Sequence, residues 1–402
     1  MRVVLGTSGF AHPGGSESYV LLMAEQLERL GHDVTVRAVD RGVLSEAAEA
    51  RGVRVAAPGE EPEAAPDAIL TQDAPTAYEL AELWPEVPQV FRACSDVFDF
   101  QLPPALPGVV AAVLVASERV AARVRATAAP APIVRLRHPV DVRRFTPMRP
   151  LAAEPRRALV LGNYLDGERY DALAAALAAA GIECRRVGYP APATLAPEVE
   201  MNDADIVVGK ARVILEAMAC GRAAYVYDIG GRDGWVTPAL YEAMEADNFA
   251  GQATETPLDP GALAADLAGY DAAMGDANRD LAVRNHHAGR HADQLVALFR
   301  EVGASAAAAP EAAGELARLG RRQWVAERDA INLRRELGGV LERFAPAREE
   351  LEALYADRDL VRAERDAWAA RAAAAEAELK QLGRGERDVA WWRAMARVRG
   401  RA

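Results

Sequence analysis

A short apolar run, a turn carrying glycine, an amphipathic helix closed by glycine and a second apolar run form a unit that recurs along this chain. Its sharpest copy is DADIVVGKARVILEAMACGRAAYVYD, from Asp203 to Asp228. Asp205 to Val208 predicts a buried parallel strand, Ala211 to Ala219 a helix ended by Gly221, and Ala224 to Tyr227 the next strand. Strands that alternate with helices pair in parallel, with helices on both faces of the sheet. Ligands of such sheets bind at the carboxyl ends of the strands, which here is the turn around Gly209.

That turn carries charge. Lys210 and Arg212 fall at the start of the helix, where the macrodipole is already positive and free backbone N–H groups suit a phosphate. Glu216 follows Arg212 by one helical turn on the same face, where its carboxylate could accept hydrogen bonds from ribose hydroxyls. The plainer alternative is an Arg212–Glu216 surface pair, although cation-first is the weaker order for such a pair.

The same rhythm opens the chain. Arg2 to Leu5 predicts a strand and GTSGFAHPGGSES a loop. A helix follows with Val20, Met23, Leu27 and Leu30 on one face, then a strand over Val34 to Val39. Gly14 and Gly15 would let a ligand approach the helix N-terminus closely, or would merely make the loop supple; the loop does not have the dinucleotide G-x-G-x-x-G register. Further strands are predicted at Val53–Val55, Ala68–Thr71, Gln89–Arg92, Ala111–Val115 and Ile133–Arg137, with helices after Pro75 and after Ser117, a suitable N-cap. The acidic loop Gly59–Asp67, with Glu60, Glu61 and Glu63, reads as solvated.

RHPVDVRRFTPMRP, Arg137 to Pro150, reads as an interdomain linker, since its prolines block helix and central strand alike. The rhythm then restarts with a strand at Ala158–Leu161, a helix at Arg169–Ala180 and a strand at Ile182–Val187. After Asp228 comes a second glycine-rich segment, IGGRDGWVTP, and helices from Pro260 to Val302 complete the domain. Gly303 to Gly314 reads as a hinge. Beyond it Leu354, Val361, Trp368, Ala375 and Leu382 recur every seven residues, with Arg358, Arg365 and Ala372 at the other seam position, which predicts a coiled coil or long amphipathic helices. The arginine-rich end with Trp391 and Trp392 fits either an anionic membrane surface or an ordinary packed helix.

The net charge of −12 argues against a nucleic-acid partner. Cys94, Cys184 and Cys220 have neither metal-ligand nor disulfide spacing and suit a reducing cytosol. No signal peptide is visible, and no apolar run approaches the ~20 residues of a membrane span. A cytoplasmic protein, soluble or held peripherally at the inner face of a membrane, is expected.

Taken in order, three stretches resemble the GT-B glycosyltransferases, in particular the large retaining family 4: the opening MRVVLGTSGFAHPGGSESYVLLMAEQLERLGHDVTV, the linker RHPVDVRRFTP, and ADIVVGKARVILEAMACGRAAYVYD continued by GGRDG. The resemblance spans roughly residues 1 to 302. It implies two Rossmann-like domains, an acceptor-side domain at 1–145 and a nucleotide-sugar donor domain at 146–302; the seven-residue repeat, outside the resemblance, makes 303–402 a helical tail, either a coiled coil or long amphipathic helices. It also implies that Glu216 holds the donor ribose and that Lys210 and Arg212 face its diphosphate. Gly14 and Gly15 would lie beside the phosphates and acceptor, and Asn163 would stand where the family places a basic donor contact. Two positions depart from the pattern. Val208 stands where the family has the first Glu of Glu-x7-Glu, and Cys94 where many relatives have a His, for which His12 and His138 are the alternatives.

The expected function is transfer of a sugar from a nucleoside-diphosphate donor to a cell-envelope or polysaccharide acceptor, a glycan or a lipid-linked one. The resemblance implies retention of configuration and no metal or other cofactor. A non-catalytic GT-B protein that binds a nucleotide sugar or acts as a scaffold, and an epimerase of the nucleotide sugar, are the other readings. The tail would make the chain a homo-oligomer or dock it to a membrane or partner.

Overall fold

The computed structural model describes the chain except residues 96–97, 128, 190, 255–259, 304–311, 382–393 and 396–402. Its contacts divide it into two units, residues 1–324 and 325–402.

The first unit holds two sheets. Strands β1 (Arg2–Phe10), β2 (Asp33–Arg41), β3 (Arg54–Ala56), β4 (Ala68–Thr71), β5 (Gln89–Ala93), β6 (Ala112–Val115) and β7 (Ile133–Arg135) form a sheet in the order 3-2-1-4-5-6-7, all parallel. Both faces are covered at its centre, which is why β4 (AILT) and β6 (AVLV) are buried along their whole length and do not alternate. Val3 and Leu5 enter one core with helix α1 (Gly15–Arg29) and α2 (Val43–Glu49). Val4 points the opposite way, towards Ile69 and Leu80 of α3 (Ala74–Leu83). Ser117 caps α4 (Glu118–Ala126) by accepting the Val120 N–H at 3.2 Å, as its position in the sequence predicts.

The second sheet runs β12-β11-β10-β8-β9, from β8 (Arg157–Leu161), β9 (Glu183–Val187), β10 (Ile206–Gly209), β11 (Ala223–Asp228) and β12 (Gly231–Trp235). Around it lie α5 (Gly167–Ala179), α6 (Pro197–Asp203), α7 (Arg212–Ala219), α8 (Tyr241–Ala246), α9 (Pro260–Leu267) and α10 (Ala273–Asn285). Gly221 ends α7 at φ +63°, the left-handed position for which glycine was read there. The two sheets, each parallel in the main, bear out the doubly wound α/β class expected for both halves.

The structure departs from the sequence reading at four places. First, β1 runs on to Phe10 rather than ending at Leu5, because Gly9 and Phe10 pair with Asp40 and Arg41 and Phe10 is buried. Second, IGGRDGWVTP, read only as a glycine-rich segment, contains a strand: Gly231–Trp235 turns back antiparallel on β11 and covers that sheet's edge, its Trp235 ring 4.9 Å from Tyr225. Third, Glu61 is not merely solvated, since it binds the buried Arg37 at 3.1 Å. Fourth, α11 (Ala288–Gly303) does not complete the second sheet. Ala292, Leu295, Val296, Leu298, Phe299 and Val302 enter the core of the first sheet beside α1. The helix has the right period for either sheet, and only the matching apolar face of α1 decides between them.

Phe299 is 1 % exposed in that core. Phe299→Ala is expected to lower stability by about 3–5 kcal/mol, through lost burial and the cavity left behind. A urea melt followed by tryptophan fluorescence would read this as a lower midpoint, and an unchanged midpoint would mean that α11 does not seal the first core.

The last helix, α12 (Ala313–Gln381), is continuous and contains Pro346. Its first turns belong to the first unit: Ala313, Ala317 and Trp324 are buried, and Arg321 donates to Ser8 Oγ at 2.6 Å, Glu79 Oε1 at 2.8 Å and Thr76 Oγ1 at 3.3 Å. The expected hinge lies mostly outside the described residues, as do Leu382, Trp391 and Trp392. Among the described residues no helix is long and apolar enough to cross a membrane.

Candidate functional site

The carboxyl ends of β1, β8, β10 and β11 open on one cleft of about 240 Å³ between the two sheets. Gly14, Gly15, Asn163, Lys210, Arg212 and Glu216 all line it. The structure thus brings together the six residues singled out in the sequence, two from the first half of the first unit and four from the second.

On the first side, Gly14 is the residue before α1, and no side chain caps that helix. A Cβ on Gly15 would meet nothing within 4 Å, whereas one on Gly14 would press on the Glu17 carboxylate. Neither glycine has a left-handed φ, so the pair is there for room rather than for an unusual backbone. Glu17 folds over this turn; burial holds its carboxyl above the usual range, against the pull of Arg212 and Arg92.

On the second side the charges are paired across short distances. Lys210 Nζ lies 3.2 Å from Asp228 Oδ2 and 4.8 Å from the centre of the Tyr164 ring. Arg212 folds along α7 and binds Glu216 Oε1, the pair that the spacing allowed as the plainer reading. Glu216 is 4 % exposed, and its other oxygen, Oε2, is buried without a hydrogen-bond partner among the described residues. Burial raises its pKa, and the Arg212 charge opposes that rise. A buried carboxylate oxygen with no donor is unfavourable, and the residue that carries it lines the cleft. Asn163 accepts the Tyr189 N–H at 3.0 Å through Oδ1, which leaves its amide N–H groups to the cleft.

The turn that presents these groups is strained. Ala211 has φ +50° and ψ −122°, outside the regions an alanine prefers. Its N–H donates to Phe249 O at 2.9 Å, and Asn248 and Phe249 are themselves left-handed at φ +55°. The buried Phe249 fixes the carbonyl, and the carbonyl holds Ala211 in its unusual conformation. No composition or spacing signal marks this arrangement.

The linker contributes more than connection. His138, Asp141 and Arg144 line the cleft, and Arg144 binds Glu198 at 2.8 Å. The second crossing between the halves, 285–291, lies alongside: the Val140 N–H donates to His286 O at 2.7 Å and the Ala288 N–H to Val140 O at 3.0 Å. Two tyrosine–histidine pairs clamp it. His291 Nδ1 contacts Arg137 O at 3.0 Å and Nε2 contacts the Tyr19 hydroxyl at 2.9 Å. His286 Nδ1 contacts His138 O at 2.7 Å and Nε2 the Tyr241 hydroxyl at 2.8 Å. A carbonyl only accepts, so each Nδ1 carries the proton and each Nε2 accepts from its tyrosine. Burial pushes these imidazoles down, to about 4 for His286 and about 3 for His291, and holds His138 well below its ordinary value.

The two departures from the family pattern fall differently. Val208 lies inside β10, paired with Val160 and Tyr225 and packed in the core, so that position offers the cleft no group. Cys94, half-buried at the end of β5, does not line the cleft, and burial pushes its thiol up to about 11. Of the two alternatives to the missing His, His138 lines the cleft and His12 does not.

No family model and no curated protein matches the chain. Solved structures do. Anabaena HepE, in complex with UDP and glucose, superposes with a TM-score of 0.52 at 13% identity, covering 75% of this chain and 99% of HepE. TarM superposes with a TM-score of 0.51 at 8% identity, covering 74% of this chain and 98% of TarM. Both are GT-B glycosyltransferases, and at these identities the likeness establishes the fold alone: about three quarters of the chain has the GT-B fold.

Proposed function

We propose that this chain, built on the GT-B fold, is a glycosyltransferase that takes a sugar from a nucleoside diphosphate and passes it to a cell-envelope or polysaccharide acceptor. The observation that carries the reading is Glu216, a buried carboxylate with one oxygen on Arg212 and the other without a donor, beside Lys210 at the head of α7. A nucleoside diphosphate supplies what both halves of that pair need. Its phosphates take over the Arg212 and Lys210 cations, and its ribose hydroxyls donate to the carboxylate that Arg212 releases. Anabaena HepE, of the same fold, was crystallised with UDP and glucose.

In transfer, the bond between the anomeric carbon and the diphosphate oxygen breaks and the diphosphate leaves with the electron pair. The acceptor hydroxyl bonds to that carbon, and its proton passes to the oxygen of the departing diphosphate. Lys210 and Arg212 stabilise the charge that grows on the diphosphate, the part a divalent ion plays elsewhere, so transfer without a metal is part of the proposal. Retention of configuration is another part, carried by the resemblance to family 4. A glycan or lipid-linked acceptor would enter from the Gly14–Gly15 side, and we place the reaction in the cytoplasm at the inner face of the membrane.

One observation favours a second reading, a GT-B protein that binds the donor without turning it over: Val208 is in the core, so no second carboxylate reaches the sugar from that position. A melting-temperature panel with UDP-, GDP-, ADP- and TDP-sugars, run with a donor-consumption assay, separates the two. A bound donor at 100 times its Kd should add about 2.7 kcal/mol of stability. Stabilisation by one base class, abolished in Arg212→Ala and accompanied by acceptor-dependent release of the diphosphate, is the expected result. Stabilisation without release would leave the binding-only reading. A silent panel on a chain that melts cooperatively would sink both.

A further inference from the structure

We infer that residues 333–378 of α12 pair with the same segment of a second copy of this chain, as a parallel, in-register, two-stranded coiled coil. The inference does not rest on the proposed activity. From residue 325 onwards the helix forms its own compact unit, yet it exposes large apolar side chains along its length. Leu333, Leu337, Phe344, Leu354, Val361 and Trp368 are 56 to 65 % exposed. They lie on one ladder: steps alternating between four and three residues lead from Leu333 to Ala375 without a break, through Pro346. A ladder of that period is a narrow stripe, too narrow to dock on a sheet and the right width for one facing helix. The sequence alone gave this seam only from Leu354 onwards; the continuous helix extends it about three heptads towards the N-terminus.

Charge selects the occupant and its direction. Two seam positions hold Arg358 and Arg365, which in the single chain pair with their exposed neighbours Asp359 and Asp366, pairs of little worth in water, Arg358 also lying 4.8 Å from the centre of the Tyr355 ring. Asp357 and Glu364 precede them on the flank of the stripe. In a parallel, in-register pair each seam arginine comes to lie beside the acidic residue that precedes its counterpart: Arg358 of one copy by Asp357 of the other, and Arg365 by Glu364. The same register sets Asp357 against Arg362 and Arg371 against Glu376; its like-charged layers are Arg343 against Arg348 on the flank and, in the seam, Arg358 and Arg365 each beside its own counterpart, where the neighbouring Asp357 and Glu364 offset the repulsion. An antiparallel pair would bring the mainly acidic flank of one copy, with Glu336, Glu350, Asp357 and Glu364, against the same flank of the other. An anionic membrane is the other candidate for an apolar stripe, but acidic residues outnumber basic ones over 333–381, which disfavours it.

The test uses the full chain. Light scattering after size exclusion at tens of micromolar should give twice the chain mass, falling to the single mass in Leu354→Glu/Val361→Glu. The melting transition of the first unit serves as the check that the variant is folded. Direction is read from two single substitutions, Leu333→Cys and Trp368→Cys, under mild oxidation. A parallel, in-register pair cross-links each variant to itself, reversibly with reductant, whereas an antiparallel pair cannot bring both positions onto themselves. Self-linkage of both, with a halved mass in the double glutamate variant, is the expected result. A single-chain mass for the unsubstituted protein, self-linkage of only one cysteine variant, or loss of the chain to anionic vesicles that the glutamate variant resists would each overturn the inference.

Discussion

Glu216→Gln should weaken binding of the nucleotide sugar about 10- to 100-fold, the worth of hydrogen bonds to a charged acceptor in a dry site. Glutamine keeps the volume and one acceptor oxygen but removes the charge, and it directs an amide N–H at hydroxyls that would donate. The control lies in the ligand. A donor analogue whose ribose lacks its hydroxyls should bind the variant and the parent chain alike, because the interaction under test is then absent from both sides of the comparison. If the full donor also binds both alike, Glu216 does not hold the ribose. The substitution should leave the melting temperature of the free chain unchanged or higher. Burial raises the Glu216 pKa, so the folded chain holds that carboxylate charge at a cost which glutamine does not incur. A residue whose removal impairs binding while sparing stability is set up for its ligand rather than for the fold.

The second large effect is on pH. His286 and His291 are lowered from 6.5 to about 4 and about 3, chiefly by burial. As pH falls through 6.5 the unfolded chain takes up protons that the folded chain refuses. Stability that is fully present above that pH is then lost, by up to about 1.4 kcal/mol per pH unit for each histidine. The loss runs down to about 4 for His286 and about 3 for His291. Glu17 and Glu216, raised by burial, push the other way near the carboxylate range. The clean measurement is therefore the difference in melting temperature between the parent chain and His286→Gln/His291→Gln, followed from pH 7 to pH 4.5. The parent should lose its lead steadily below 6.5. A constant difference over that range would mean that the two imidazoles titrate normally and that the tyrosine clamps do not keep them neutral.

What could be read in the sequence follows from what each feature depends on. The strands of both sheets other than β12, and α7, are local: apolar runs and a helical period mark them, and Gly221 closes α7. The cleft residues were legible because the carboxyl end of a strand followed by a helix start is itself a local pattern, as at Lys210 and Arg212. Partners in space were not. β12 has no apolar run and exists because β11 offers it an edge. Arg144 sat in a proline-bounded linker that read as mere connection, yet it lines the cleft. The strain at Ala211 depends on the carbonyl of Phe249, thirty-eight residues away, and the histidine clamps join segments about 150 residues apart. The Arg212–Glu216 contact, written from spacing as the rival of ligand binding, is present in the structure, where each group holds the other in place.

The position of α11 has a consequence for how the chain is made. The ribosome finishes β1 to β7 long before it reaches Ala288, so for the time it takes to add some 150 further residues the first sheet has α1 in place but not the helix that covers the rest of that face. During that interval an apolar surface lies open on a nascent chain, the state in which non-local contacts are slow to form and aggregation competes. The amino-terminal half is thus the first to be synthesised and among the last to be sealed. A stop codon placed in the linker would release a sheet with one face uncovered, whereas a fragment that carries 288–303 in trans could still close it.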